Sequence, residues 1–168
     1  VGGGGRGARR GGGFRAPGGA RGAELRGTPR GREVSRQYVT PETGRRIVAG
    51  LRRIDDRPAD AVTPLTVLEI VCDTPDMDDT YLGNSERASL YQFARRHADE
   101  LTTDMDEPDD FESWLESVKT ARILLAWTEG ASVADLVSEY RIGPGDLESR
   151  VERAEWLLGA AAALADVE

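Results

Sequence analysis

The feature that most constrains this chain is a recurring helix start. Thr40-Pro41-Glu42 sets an N-cap hydroxyl, a proline at the first helical position and an acid at the positive end of the helix dipole in succession. Thr63-Pro64 repeats it, Ser132 caps a short helix to about Tyr140, and Gly143-Pro144-Gly145-Asp146 breaks the chain before a last helix to about Val167. The apolar residues between these signals recur at helical spacing. The first helix is predicted to run to about Arg53 with Ile47, Val48 and Leu51 inward, and the second carries Leu65, Leu68, Ile70 and Val71. Asn84 or Ser85 caps a third, through Leu90, Tyr91, Phe93 and Ala94 to about Leu101. Pro108 opens a fourth, carrying Phe111, Trp114, Leu115, Val118 and Leu125; Ile123, Leu124 and Trp127 on its other sides predict last turns buried nearly all round. Only a stub at Arg32–Val39 reads as a strand. The expected fold is all-α, a helical bundle of about six helices.

The 168 residues suit one domain with a real core. Charge divides the chain: residues 1–53 hold 13 Arg against 3 Glu, whereas residues 54–168 hold 9 Lys and Arg against 27 Asp and Glu. The first 22 residues include 11 glycines and 5 arginines, too little apolar surface to offset the entropy of ordering. Residues 1–27 are therefore expected to form a disordered Gly/Arg-rich arm, which either grips nucleic acid through charge or is a linker or non-native sequence. Lys119 is the only lysine among 22 basic residues. An acidic, lysine-poor composition suits a high-salt-adapted organism, because at molar salt the Debye length shrinks to about 3 Å and surface carboxylates repel one another little.

One cysteine, Cys72, allows no internal disulfide and no cysteine-rich zinc site, and one histidine, His97, argues against a histidine metal cluster or a catalytic triad. No stretch approaches the roughly 18 apolar residues of a membrane span, and no signal peptide is evident, so the expected location is cytoplasmic with no membrane partner. The phosphate-binding loop GxxxxGK[ST] is absent, since Lys119 follows Val118 within a helix. The acidic stretches Asp73–Asp79 and Asp104–Asp110 lack the mid-loop glycine of a calcium-binding EF-hand and read as solvated loops. Cys72 is expected in the core, and His97 in solvent.

The richest signal runs from Ser132 to Trp156. Two helices flank the tight turn around Gly143-Pro144-Gly145, which is either a helix-turn-helix, a hairpin whose glycines let backbone amides approach phosphate, or simply a good interhelical turn. On a wheel at about 100° per residue, Val151, Ala154, Leu158 and Ala161 fall within about 40° of Leu147 and form the expected core stripe. Trp156 falls about 180° away, with Ser149 and Arg153 beside it. A tryptophan so placed meets another element, a partner, or a ligand such as a base. Stacking on a base is worth about 1–3 kcal/mol and survives salt better than phosphate pairing does.

With these residues in view, the chain resembles the C-terminal region of the archaeal Ski-two-type, superfamily-two DNA helicases, the HELQ-like repair helicases. The likeness covers about residues 28–168 and rests on four ordered blocks: Gly31–Pro41, Thr63–Met77, Trp114–Ala121, and Ile142–Leu147 with Ala154–Leu157. It implies that residues 28–54 are the exit of a winged-helix domain and a linking helix, and residues 55–168 a helical ratchet domain that tracks single-stranded DNA. In that family a tryptophan and an arginine on a long helix stack on bases. The tryptophan falls on Trp156; the arginine's position holds Ser149, leaving Arg150 or Arg153 to substitute. The family's motor domains, which bind ATP and magnesium, its P-loop and DEAH-type box, and its final helix-hairpin-helix domain have no counterpart in this sequence. The resemblance thus implies a piece of a helicase of DNA repair or replication-fork processing, with no catalytic residue, metal or cofactor of its own, whose partners are single-stranded DNA and the motor domains. Two rivals are a stand-alone helix-turn-helix DNA-binding protein and a protein-interaction bundle.

Overall fold

Threonine-proline pairs start the first three helices. The computed structural model describes residues 28–106, 108 and 110–167, so the arm assigned to residues 1–27 lies outside the described residues. Thr28 accepts from the Gly31 amide at 3.0 Å to start α1 (Pro29–Arg36), and Thr40 accepts from Thr43 at 3.3 Å to start α2 (Pro41–Ile54). Thr63 and Thr66 form a reciprocal capping box at the start of α3 (Pro64–Cys72). α4 (Arg87–Arg96) begins without a side-chain cap, Asp110 caps α5 (Phe111–Thr128), Ser132 caps α6 (Val133–Tyr140), and Pro144 opens α7 (Pro144–Ala165).

The described residues contain seven α-helices and no strand, an all-α fold with α1 additional to those expected. The stub at Arg32–Val39 is a helix rather than a strand, because Thr28-Pro29 is the same start signal that Thr40-Pro41 carries. The third helix starts at Arg87, beyond Asn84 and Ser85, and the fourth is capped by Asp110 rather than opened by Pro108. His97 ends α4 partly buried, with its Nδ1 2.6 Å from the Glu100 carboxylate and its ring 4.4 Å from that of Phe93, so it is not merely solvated. Cys72 lies in the core as expected, where burial and the neighbouring Glu69 and Asp73 charges raise its thiol well above the usual range.

α3, α5 and α7 form the centre of the bundle, with α1 and α2 against α7 and α4 against α5. The main core joins Ile47 of α2, Leu65, Leu68 and Val71 of α3, Trp114, Leu115, Val118 and Leu124 of α5, and Leu157, Ala160 and Leu164 of α7. A smaller core of Ile123, Leu136, Tyr140, Ile142 and Leu147 closes the end where α6 turns into α7. Ile123 and Leu124 are buried as their places on α5 predict, but Trp127 is 38% exposed, because α6 and the start of α7 cover the side of the helix that carries Ile123 and Ala126. α2 approaches α3 closely at Gly50, where a Cβ would stand 2.8 Å from both branches of Ile70. A β-branched side chain in a packed core cannot swing away from such a contact. In the α6–α7 turn the left-handed residue is Arg141 (φ 53°), whereas Gly143 has the ordinary φ of −66°.

Two buried charged groups brace this frame. Lys119, only 3% exposed, donates to the Tyr81 carbonyl at 2.7 Å and to the Glu86 carboxylate at 3.0 Å. Glu69, at 0% exposure, accepts from the Thr102 amide at 3.1 Å, from the Thr102 hydroxyl, and from Trp114 Nε1 at 3.3 Å. It ties α3 to α5 and to the loop after α4. No helix among the described residues is long and apolar enough to cross a membrane.

Candidate nucleic-acid interface

α7 has 22 residues and packs against α1, α2, α3, α5 and α6. Its buried residues are Leu147, Arg150, Ala154, Leu157, Ala160, Ala161 and Leu164, so the buried stripe is rotated about 60° from the expected one, toward Trp156. Val151 and Leu158, expected at its centre, lie at its edge. An alanine- and leucine-rich helix is apolar on several sides, and the positions of α2, α3 and α5 select the side that is buried.

The four candidate residues, Ser149, Arg150, Arg153 and Trp156, come together on the α7 flank that meets two connecting segments. One is the loop after α3. Ser149 donates to Asp78 Oδ2 at 3.0 Å, and Arg153 pairs with the same carboxylate oxygen at 3.0 Å while donating to the Asp76 carbonyl at 2.9 Å. Arg150, 8% exposed, gives its Nε to Thr80 Oγ1 at 2.8 Å, one terminal nitrogen to the Asp146 carbonyl at 3.0 Å, and the other to the Asp79 carbonyl. Its fork is wholly occupied inside the protein, so it clamps α7 to the loop. Arg153 is more open, although its charge is offset by Asp78.

The other segment is the junction of α1 and α2. Trp156 is 36% exposed and donates its indole N–H to the Gln37 carbonyl at 3.0 Å. With that group committed, the residue offers chiefly apolar ring surface to solvent. Asp76 links the two segments, because its carboxylate accepts from the Thr40 amide at 2.8 Å. Burial acts to raise the Asp76 carboxyl, but the Thr40 amide, the Thr43 and Thr40 hydroxyls and the Arg153 charge together hold it below the ordinary value. The acidic loop is therefore the seat on which α7 rests, and not simply solvated. The helical wheel sets Trp156 opposite the expected stripe but gives no sign of the loop that holds Ser149, Arg150 and Arg153 or of the junction that holds Trp156, because contacts such as Arg153 to Asp76 span 77 positions.

A polar recess of about 580 Å³ lies between α2, α3 and the start of α5, lined by Arg45, Arg46, Arg53, Asp73 and Trp114 among others. Its charges are largely matched. Hydrogen bonds from Arg45 and Arg46 hold the Glu42 carboxyl down to about 2, and Arg46 also pairs with Asp73 at 3.3 Å. Burial pushes the Asp73 carboxyl up to about 6, the Arg46 charge opposing it and that of Glu69 adding to it. A carboxyl whose folded pKa exceeds its unfolded value supplies stability at low pH that is lost as pH rises, here between about 4 and 6. Asp73→Asn, which can still accept from Arg46, is expected to raise stability at pH 7.5 by about 1–2 kcal/mol and to flatten the pH dependence of Tm over that window. Thermal melts of both proteins from pH 4 to 8 check this.

The described residues thus form an all-α bundle built around a long central helix. Residues 65–168 match the family model described as archaeal helicase, domain 4, and the chain belongs to that family. Similar proteins include the ATP-dependent DNA helicases Hel308 of Methanocella arvoryzae, 31% identical over 143 residues (83% of this chain and 19% of that protein), and of Caldivirga maquilingensis, 31% identical over 151 residues (86% and 20%). The Pyrococcus horikoshii protein of the same name is 29% identical over 135 residues, covering 80% of this chain and 18% of its own. The chain spans about a fifth of the length of these relatives.

Proposed function

We propose that this bundle is the DNA-tracking domain of an ATP-dependent DNA helicase, contacting single-stranded DNA while motor domains outside this sequence step on ATP. Residues 28–54 serve as the exit of a winged-helix domain and the linking helix, and residues 55–168 as the ratchet-like domain. The HELQ-like resemblance supports a role in DNA repair or replication-fork processing and a cytoplasmic location, and the acidic, lysine-poor composition supports a haloarchaeal origin. ATP and magnesium belong to the motor. Residues here do not fit them, because Lys119 is buried against Glu86 and the Tyr81 carbonyl rather than presented on a glycine-rich loop.

The observation that carries this reading is Trp156, an indole with its N–H fixed and its ring open on the flank of the longest helix. Fixing the ring in advance removes ordering entropy from binding. In this reading Trp156 stacks on a base, Arg153 makes the adjacent contact, and Ser149 and Arg150 hold α7 in place. Since Arg153 and Arg150 already have partners, the grip is on bases more than on phosphates.

The test is fluorescence anisotropy of a labelled single-stranded oligonucleotide in high KCl. Trp156→Ala is expected to weaken binding by about 1–3 kcal/mol, while Trp156→Phe, which keeps an aromatic face, retains most of it. Affinity unchanged in Trp156→Ala would make Trp156 a packing residue and overturn the assignment. Because stacking on a base releases no counterions, Trp156→Ala should leave the slope of log K against log[KCl] unchanged.

A further inference from the structure

We infer that Tyr38 is a second base-stacking residue, forming with Trp156 a platform for two bases at the α1–α2 junction. This rests on the reading of Trp156 given above. Tyr38 is 89% exposed, the most open of the large hydrophobic residues among those described. It also has a left-handed backbone, with φ at 58°. It follows Gln37, the C-cap of α1, in the position that helices ordinarily give to glycine or asparagine. A side chain with a Cβ costs about 1–2 kcal/mol in that conformation. Stability alone would favour a glycine here and would not leave a phenol ring in water. A strained residue that also exposes an aromatic ring is the pattern of a functional position.

The place of Tyr38 gives that pattern a ligand. The carbonyl that receives the Trp156 indole belongs to Gln37, so Tyr38 directly follows the residue against which the tryptophan rests. The junction is held firmly. On one side of Tyr38 is the Trp156–Gln37 bond; on the other, Val39 is buried in the core and the Thr40 amide is bonded to Asp76. Asp76 also receives Arg153 on its carbonyl, so the α7 flank and the Tyr38 segment are tied together. Aromatic faces suit nucleobases, because every base has a face that stacks on a ring whatever its sequence. Single-stranded nucleic acid therefore fits this surface, since its bases are unpaired and open to stacking.

The experiment compares the full chain as wild type, Tyr38→Gly, Tyr38→Trp and Trp156→Ala. The probes are labelled oligodeoxythymidylate and an abasic oligonucleotide of the same length. Glycine accepts the left-handed backbone without strain, so Tyr38→Gly should melt no lower than wild type. It should bind oligodeoxythymidylate about 5- to 150-fold more weakly, leave abasic binding unchanged, and be countered by Tyr38→Trp, which restores a ring. Tyr38→Gly binding like wild type while Trp156→Ala binds weakly would remove Tyr38 and leave Trp156 standing. Both variants binding like wild type, or no binding by wild type, would remove both. A lowered Tm in Tyr38→Gly with unchanged affinity would make Tyr38 a packing residue and overturn the proposal.

Discussion

Arg150→Ala is expected to lower the melting temperature by about 6–15 °C while leaving the salt dependence of DNA binding unchanged. The guanidinium is almost fully buried and donates to Thr80 Oγ1 and to the Asp79 and Asp146 carbonyls. Truncation leaves the Asp79 carbonyl short of a partner and opens a cavity under α7, although Thr80 keeps its 2.7 Å bond to Thr120. Together these losses cost about 2–4 kcal/mol, and a domain of this size loses about 3–4 °C per kcal/mol. Arg150→Lys should recover little, since one ammonium cannot span three acceptors set around a planar fork. A phosphate contact by Arg150 would behave differently, because its loss would reduce the salt slope by about 0.7 for single-stranded DNA. A melt and a salt titration on the same variant thus separate a clamp from a contact.

Glu69→Ala should be still more damaging, at about 3–5 kcal/mol, and Glu69→Gln should cost about 1–3 kcal/mol despite nearly equal volume. The carboxylate is fully buried and uses both oxygens as acceptors, one for the Thr102 amide and hydroxyl, the other for Trp114 Nε1. Glutamine replaces one of those acceptors with an NH2 donor. Whichever way the amide turns, it faces either the indole N–H or the Thr102 amide, and neither can reverse its role. Denaturant unfolding followed by Trp114 fluorescence would report the loss. Glu69→Gln as stable as wild type would show that the interior tolerates a misplaced donor and that the loop after α4 relaxes freely.

These residues also show which parts of the molecule could be read from the chain. The starts of α2, α3, α6 and α7 are legible because these signals are local: a cap hydroxyl accepts from an amide three positions on, and a proline fixes its own φ at the first helical position, which needs no N–H partner. α1 carries the same Thr-Pro signal but contributes no fully buried residue, and its Arg/Gly-rich surroundings hide it. Its contact with α2 depends on Val34 lying against Gly44, a fact of packing and not of periodicity. The displacement of Trp156 from a core stripe was legible, but not its partner, a carbonyl 119 residues away. Tyr38 carries no signal in the sequence, because its exposure and left-handed backbone follow from the α1–α2 junction as folded.

By itself the sequence determined the all-helical class, most helix starts and the lack of a phosphate-binding loop, since each depends on spacing or composition within a few residues. It also carried the likeness to the helicase domain family, through short blocks in a fixed order. Only the tertiary structure decided which side of α7 is buried, which arginine is a clamp, and where Trp156 rests. α7 is apolar on several faces, so its own periodicity is nearly degenerate. The choice among those faces falls to α2, α3, α5 and the acidic loop, whose positions relative to α7 no local rule contains.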